Sequence, residues 1–514
     1  MPSPIFSLTT PIFYVNDVPH VGHAYTAIAT DMIARWHRGR GESVYFLTGT
    51  DEHGEKILRT AIANGTEPQQ WVDTLVDTAW KPALSELAIS HDDFIRTTDR
   101  RHVEGVKKFL DVLWKNDMIY SGVFTGHYCI GCEEYKQAVD LITLPDGTLA
   151  CALHAIAVET NTEENYFFRL SAFQERLLAL YESRPEFIRP ESLRNEMVSF
   201  VRSGLHDVSI SRTTFDWGIE LPWNSGHILY VWCDALLNYI TAAGYLEEPE
   251  LFAERWPSLH IVGKDIARFH AVLWPALLMA AEMSVPRGVF GHGWLLVDGE
   301  KMSKTRLNGI EPRTIIARFG SDAFRYCLLR SIRFGQDGNF SEDEIYQRYN
   351  SELVNGLGNL CARVTTLVEK HFSGMLPHNT LAPIETEERL ILDLCRDTTR
   401  KADAAVERVE LHKAIEYIWE LVTALNAYLT TTEPWHLATD PTRTERVARI
   451  LHTAVRGLGT IAVLTYPIMP TAAERLWSAM GGKGQVHEVV ITNADTAPLG
   501  ELVHSLTPPL FPRI

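Results

Sequence analysis

Positive charge is scarce in this sequence: 48 Lys and Arg stand against 65 Asp and Glu in 514 residues, a formal net charge of −17. Phosphate binding is largely Lys/Arg electrostatics, so this balance argues against a protein that coats nucleic acid non-specifically. It leaves room for a nucleic acid held by local basic patches. Cysteine is sparse too, and 7 in so long a chain do not make a disulfide framework. Four of them, Cys233, Cys327, Cys361 and Cys395, are scattered in apolar contexts that suit core packing. No run approaches the roughly 18 apolar residues of a membrane span, so no membrane partner is expected. The start, MPSPIFSLTTPIFYV, lacks both a charged n-region and an Arg-rich presequence, which points to the cytoplasm. What is present is ordinary for a globular protein, 46% hydrophobic and 22% charged residues. The length suits two to four domains of about 100–200 residues.

Periodicity organises the chain. SLTTPIFYV reads as a strand, HAYTAIATDMIARWHR as a helix, SVYFLTGT as a second strand and EKILRTAIANG as a second helix. Such alternation predicts an α/β fold with a parallel, doubly wound sheet. Residues 116–225 break the rhythm with short Cys- and Gly-containing, hairpin-like pieces and read as an insertion. The rhythm resumes at SLHIVGKD and the apolar helix IARFHAVLWPALLMAAEM. From about 345 onward, long amphipathic helical patterns predict an α-helical bundle. The expected division is therefore 1–115 and 226–290 for the two halves of the sheet domain, 116–225 for the insertion, and 291–345 for a connecting region. Residues 346–480 would form the bundle, and 481–514 a loosely structured Pro- and Gly-rich tail.

Three motifs could carry chemistry. In TTPIFYVNDVPHVGHAYT a strand leads through a turn into a helix whose start holds His20, Gly22 and His23. The positive end of the helix dipole and its unpaired N–H groups suit an anion. Gly22 would let a ligand approach the backbone, and two imidazoles can donate hydrogen bonds to phosphate. A plain surface histidine pair is the competing reading. The second motif is the polar loop DGEKMSKTRLNG, with Lys301 and Lys304 between the strand pattern VFGHGWLLV and the helix pattern EPRTIIARFGSDAFRYCLL. Alone it would be read as a solvated connector. The third is CIGC at 129–132 with CALH at 151–154, that is Cys-x2-Cys, an 18-residue spacer, then Cys-x2-His. Two short chelating turns of this kind can complete a tetrahedral, structural Cys3His zinc site with Cys129, Cys132, Cys151 and His154. A site that has lost its metal or binds it weakly is the alternative.

HVGH together with KMSKT resembles the paired HIGH and KMSKS signatures of the class I aminoacyl-tRNA synthetases. PIFYVNDVPHVGHAYT, TGTDEHGEKI, YVWCDALLNYI, HIVGKDIARFHAVLWPALL, EKMSKTRLNGIEP and RYCLLRSIRFGQDGNFSE resemble methionyl-tRNA synthetase segments, in that family's order and along most of the chain. The resemblance implies a Rossmann-type sheet with a connective-peptide insertion carrying the zinc knuckle, and an anticodon-binding bundle. It implies ATP contacts from His20, Gly22, His23, Gly263, Asp265, Trp294 and Lys304, with Lys301 and Lys304 matching the signature lysines. It places Asp51 on the substrate ammonium and Ile12, Tyr14, Trp232, Ala235, Tyr239, Ile266 and His270 around the methionine side chain. NGLGNLCAR and TEPWHL would read the CAU anticodon through Asn359, Arg363 and Trp435. Each has a bland alternative: Asp51 as a helix cap, Trp232 and Tyr239 as a core aromatic stripe, Trp435 as a buried staple, Arg363 as a surface ion-pair residue.

The activity implied is a methionine–tRNA ligase, with ATP, L-methionine and tRNA(Met) as partners, Mg2+ accompanying ATP, and a monomer expected. The insertion is too short for a separate editing domain, and some correction of homocysteine is implied. The sequence departs from the pattern after the lysines, where Thr305 replaces Ser and Arg306-Leu307 stand for the usual Leu-Gly, so loop closure is the step expected to differ. A non-catalytic tRNA-binding paralogue would need broken signatures. A small nucleotidylyltransferase sharing the HxGH turn would leave the bundle and knuckle without a use.

Overall fold

The computed structural model describes residues 5–514 except 133, 137–139, 154, 246, 298–299, 302–310, 376–384 and 501. His154 and Lys304 lie outside the described residues. The strand–helix rhythm does produce a parallel sheet. Its elements are β1 (Phe6–Thr9), β2 (Phe13–Tyr14), α1 (Val21–Gly39), β3 (Val44–Asp51), β4 (Asp93–Arg96), α2 (Arg100–Lys115), β5 (Ile188–Arg189), α3 (Val231–Thr241), β6 (Leu259–Gly263) and β7 (Gly288–His292). The strand order is β5-β7-β6-β1-β3-β2, with β4 also paired to β3, and every pairing is parallel. From β1 the chain crosses by α1 to β3 on one side, while β6 lies on the other. The crevice beyond the carboxyl ends of β1 and β6 is therefore a topological switch point, where ligands of such sheets bind.

The insertion rests on a long antiparallel pair, Ile119–Cys129 with Glu159–Phe168, which carries a small hairpin, Leu141–Thr143 with Leu149–Cys151. Not all of 116–225 stands apart from the sheet. β5 runs parallel to β7 at its edge, because the apolar Ile188 (1% exposed) pairs with the buried Val289. VFGHGWLLV is two strands rather than one: β7 ends at His292, and β8 (Leu295–Val297) belongs to another sheet, where it pairs with β9 (Glu300–Lys301). The cause is Gly293, where a Cβ would sit 2.2 Å from the backbone carbon of Gln336, so two chain segments cross there without room for a side chain. EPRTIIARFGSDAFRYCLL likewise splits into Pro312–Phe319 and Ser321–Ser331, because Gly320 takes φ +82°.

The C-terminal half is helical, with long members at Asn359–Phe372, Thr386–Glu407, Leu411–Thr432 and Thr444–Thr465. Pro441–Thr465 is long and apolar enough to cross a membrane by composition, but 83% of its apolar window is buried inside the protein. It is the core helix of the bundle. The terminal segment is not a loose tail, since Val503, Leu510 and Phe511 are buried and Tyr349 Oη donates 2.7 Å to the Pro512 carbonyl. Its apolar residues find a place on the bundle that their Pro-rich spacing does not reveal.

Helix α1 joins the two halves. Asp31 (0% exposed) receives Arg325 Nη2 at 2.6 Å and Arg35 Nε at 2.8 Å, and Arg325 also donates to the Leu87, Pro467 and Ile468 carbonyls. Burial opposes ionisation of Asp31, but Arg325 and Arg35 outweigh it and hold the carboxyl below its usual range. Trp36 Nε1 and Arg40 Nε both donate to Asp403 of the bundle. The helix that begins at the HVGH turn is thus locked along its length to the helical domain.

Candidate active site

The HVGH turn is a capping structure. His20 is the N-cap of α1: its Nδ1 accepts the Gly22 N–H at 3.0 Å, and His23 Nδ1 accepts the His20 N–H at 3.1 Å. This is the reciprocal logic of a capping box, with imidazoles in place of hydroxyl and carboxylate. Because both Nδ1 atoms accept from backbone, each neutral ring carries its proton on Nε2, so the caps also set the tautomers. The rings lie 3.8 Å apart at the positive end of a 19-residue helix. Gly22 is needed for a reason that spacing alone does not disclose: a Cβ there would lie 2.8 Å from the His20 ring.

Around this turn lies a cleft of about 1010 Å3. It gathers His20, Gly22 and His23 from the turn, Ile12, Tyr14 and Asp51 from the sheet edge, and Trp232, Ala235 and Tyr239 from α3. Gly263, Asp265, Ile266, His270 and Trp294 complete it from the far side. Every described residue of the sequence-expected ATP and methionine sets lines this one space. At Lys301 the backbone pairs with Leu296, so the lysine stretch begins as a hairpin arm.

The apolar end of the cleft is built to stay uncharged. His270 Nδ1 donates 3.0 Å to the Ile266 carbonyl, which leaves Nε2 to accept the Tyr239 hydroxyl at 2.7 Å. Burial lowers the His270 pKa to about 4, and burial raises the Tyr239 hydroxyl well above its usual value. Both are neutral at pH 7. Trp232 stacks on Phe269 at 3.9 Å with the planes 5° apart. Asp51, 8% exposed at the end of β3 and opposite Tyr14 in strand register, brings a carboxylate to the same cleft. A cation flanked by a flat apolar wall is what such a site would take.

Sequence reasoning missed several of the cleft's residues. Phe269 backs Trp232 from one position before His270 in IARFH, yet a lone aromatic carries no signal of its partner. Lys264 sits 4.2 Å above the Trp294 ring and 2.7 Å from Asp337, whose other oxygen accepts the Trp294 N–H at 2.8 Å. Lys264 stands inside the VGKD motif, but Asp337 is far along the chain. Thr26 and His292 bond at 2.8 Å across the same floor.

The knuckle sulfurs of Cys129, Cys132 and Cys151 converge with all three within 4.8 Å, and Cys132 lies 3.7 Å from Cys151. The Cys129 sulfur and burial push the Cys132 thiol up, against the pull of Lys136. Three crowded soft donors, two of them buried, fit a thiophilic metal ion, which would displace the protons and neutralise the cluster. Cys132 and Cys151 also line the cleft, so the knuckle overhangs it. In the bundle, Asn359 and Arg363 are one turn apart on Asn359–Phe372, and the Arg363 guanidinium lies 5.0 Å over the Trp435 ring.

A doubly wound sheet with a histidine-capped helix at its switch point, a lysine hairpin and an appended helical bundle defines a class I aminoacyl-tRNA synthetase. Comparison with known proteins agrees. The family described as tRNA synthetases class I (M) matches residues 6–146 and 147–365, and the anticodon-binding domain of tRNA ligase matches 388–501. The methionine–tRNA ligase of Streptomyces coelicolor is 47% identical over 99% of this chain and 96% of its own. That of Rickettsia conorii is 43% identical over 93% and 92%. The chain belongs to the methionyl-tRNA synthetase family. Mycobacterium tuberculosis methionyl-tRNA synthetase in complex with methionyl-adenylate superposes with a TM-score of 0.95 at 38% identity, covering 99% of this chain and 100% of that one. Its free-state crystal structure gives 0.86 at 35% identity, covering 99% and 98%.

Proposed function

We propose that the protein is a methionine–tRNA ligase, which activates L-methionine with ATP and transfers it to tRNA(Met). The observation that carries this is the single cleft in which Asp51 and the neutral Trp232–Tyr239–His270 wall face the capped histidines of α1. The substrate carboxylate attacks the α-phosphorus of ATP, the bond to the β-phosphate oxygen breaks, and pyrophosphate leaves methionyl-adenylate behind. The ribose 2′-hydroxyl of the tRNA's terminal adenosine then attacks the carbonyl and AMP departs. No covalent enzyme intermediate is needed, so positioning and electrostatics supply the rate.

Asp51 holds the ammonium. The wall of Ile12, Tyr14, Trp232, Ala235, Tyr239, Ile266 and His270 takes the thioether, whose polarizable sulfur packs well on aromatic rings. Polar side chains would lose water there without a partner. His20 and His23, with protons on Nε2, donate to the phosphates beside Gly22. Gly263 and Asp265 take the ribose, and Trp294 lies beside the adenine. Lys304, with Lys301 supporting the loop, meets the charge growing on pyrophosphate. Mg2+ bound with ATP would supply further neutralisation of the phosphate charge. Zinc, held by Cys129, Cys132 and Cys151 with His154 as the expected fourth ligand, would be structural, because all its ligands are protein. Metal analysis of the pure protein tests this: about one zinc per chain supports it, and none refutes it. The chemistry of translation supports a cytoplasmic location.

ATP–pyrophosphate exchange should depend on methionine and fail with Ile, Leu and Val. Absence of exchange with methionine would sink the reading. In the bundle, the Arg363–Trp435 pair suits an unstacked anticodon base, and stacking is worth about 1–3 kcal/mol per base. Trp435→Ala should lower kcat/KM for charging tRNA(Met) by about 5- to 150-fold on that scale. Exchange without tRNA should stay at wild-type rates. Equal charging by the variant and wild type would remove the assignment.

A further inference from the structure

Helix α3 supplies three residues of the wall, and its opposite face carries a carboxylate that the mechanism above does not use. Asp234 is 1% exposed. One of its oxygens accepts from His53 Nδ1 at 2.7 Å, and the other accepts from His102 Nε2 at 2.7 Å. His102, itself 0% exposed on α2, reaches back to α3 through Nδ1 and Thr241 Oγ1 at 2.8 Å. The two helices are in close contact there, since a Cβ on Gly105 would lie 2.6 Å from Thr241. His53 is two residues beyond Asp51, past the tip of β3. The intervening backbone is pinned as well: Trp217 Nε1 donates 2.6 Å to the Glu52 carbonyl, and Glu52 accepts a two-pronged pair of bonds from Arg96. Asp234 thus ties the strand tip bearing Asp51 to the helix bearing Trp232, Ala235 and Tyr239.

Stability alone does not call for such a group. Removing a carboxylate from water is costly, and well-packed apolar residues of similar volume are often as stable or more so. Buried ionic clusters are best attested where they fix the register of elements against one another. The register at stake here is between the two ends of the amino-acid pocket. In a free α-amino acid the distance from ammonium to side-chain tip is set by covalent bonds, so the spacing of Asp51 from the wall selects a chain length.

We propose that Asp234, acting through His53 and His102, is a positioning residue that sets the span between the ammonium site and the thioether wall and so determines side-chain length specificity. This rests on the methionine-activating reading above. A cleft held to about an ångström is sensitive to such a brace, because misplacement on that scale can cost about 100-fold in rate.

The test is ATP–pyrophosphate exchange by the full chain with methionine and with its homologues one methylene shorter and one longer. Asp234→Asn should raise KM for methionine about 10-fold or more, leave KM for ATP within about two-fold, and narrow the preference for methionine over both homologues. A second pair of variants guards against a folding defect. His53→Asn keeps an N–H where Nδ1 stood and should stay near wild type, whereas His53→Leu should repeat the Asp234→Asn pattern. If Asp234→Asn and His53→Leu lower the melting temperature but keep wild-type KM and homologue selectivity, the group is only structural and the proposal is overturned. Failure of the wild type to exchange with methionine overturns the activity itself, and the brace with it.

Discussion

Asp51→Asn is expected to cut kcat/KM for methionine in ATP–pyrophosphate exchange by about 100- to 1000-fold, with KM for ATP little changed. The carboxylate closes the end of β3 at 8% exposure, opposite Tyr14 in register and beside a wall whose tyrosine and histidine are neutral. On the proposed function, a substrate ammonium entering there leaves water behind and depends on this carboxylate. Truncating one partner of a desolvated, hydrogen-bonded charge pair costs about 2–5 kcal/mol. Each 1.36 kcal/mol is a factor of ten, so the middle of that range gives the stated loss. Asn preserves the shape, and it removes a buried charge, so the melting temperature should hold or rise. A loss below ten-fold would mean that the ammonium is held elsewhere.

Lys304→Ala should lower kcat for exchange by about 100- to 1000-fold while KM for ATP and methionine moves little. The strand pair that precedes this lysine is anchored at its root, by the Gly293 crossing, by Asp337 on the Trp294 N–H, and by Gly338 N–H bonded 3.0 Å to the Trp294 carbonyl. Under the proposed activity, Lys304 brings positive charge to the leaving pyrophosphate as it forms. Removing one preorganised donor to developing charge typically costs about 2.7–4 kcal/mol, and it appears in kcat rather than KM because the contact belongs to the transition state. Lys301→Ala should cost less, since Lys301 supports the loop. A large rise in KM for ATP with unchanged kcat would instead make Lys304 a ground-state binding residue.

Local chemistry was legible in the residues. The histidine turn, the Cys-x2-Cys and Cys-x2-His pieces, and the strand–helix alternation are short-range patterns: the turn starts a helix, three cysteines converge and a parallel sheet forms, though SLTTPIFYV gives two strands, β1 and β2, rather than one. Where reading failed locally, the reason was a glycine whose role depends on distant chain. Gly293 ends a strand because Gln336 crosses it, and Gly320 divides a helix by taking positive φ. The C-terminal segment was misread because its apolar residues pack on helices that sequence spacing does not bring near it.

By itself the sequence determined the class of protein and its fold class, because hydrophobic period and the signature segments are written in neighbouring residues. Only the tertiary structure decided why those residues work together. It set both histidine tautomers through backbone N–H groups, kept His270 and Tyr239 neutral through burial, and brought Phe269 under Trp232. It also joined His102 and Asp234, on two helices, and His53, in the turn after β3, into one brace. Those effects come from contacts between segments far apart in the chain and from the exclusion of water where they meet, and neither exists until the sheet and its helices have closed.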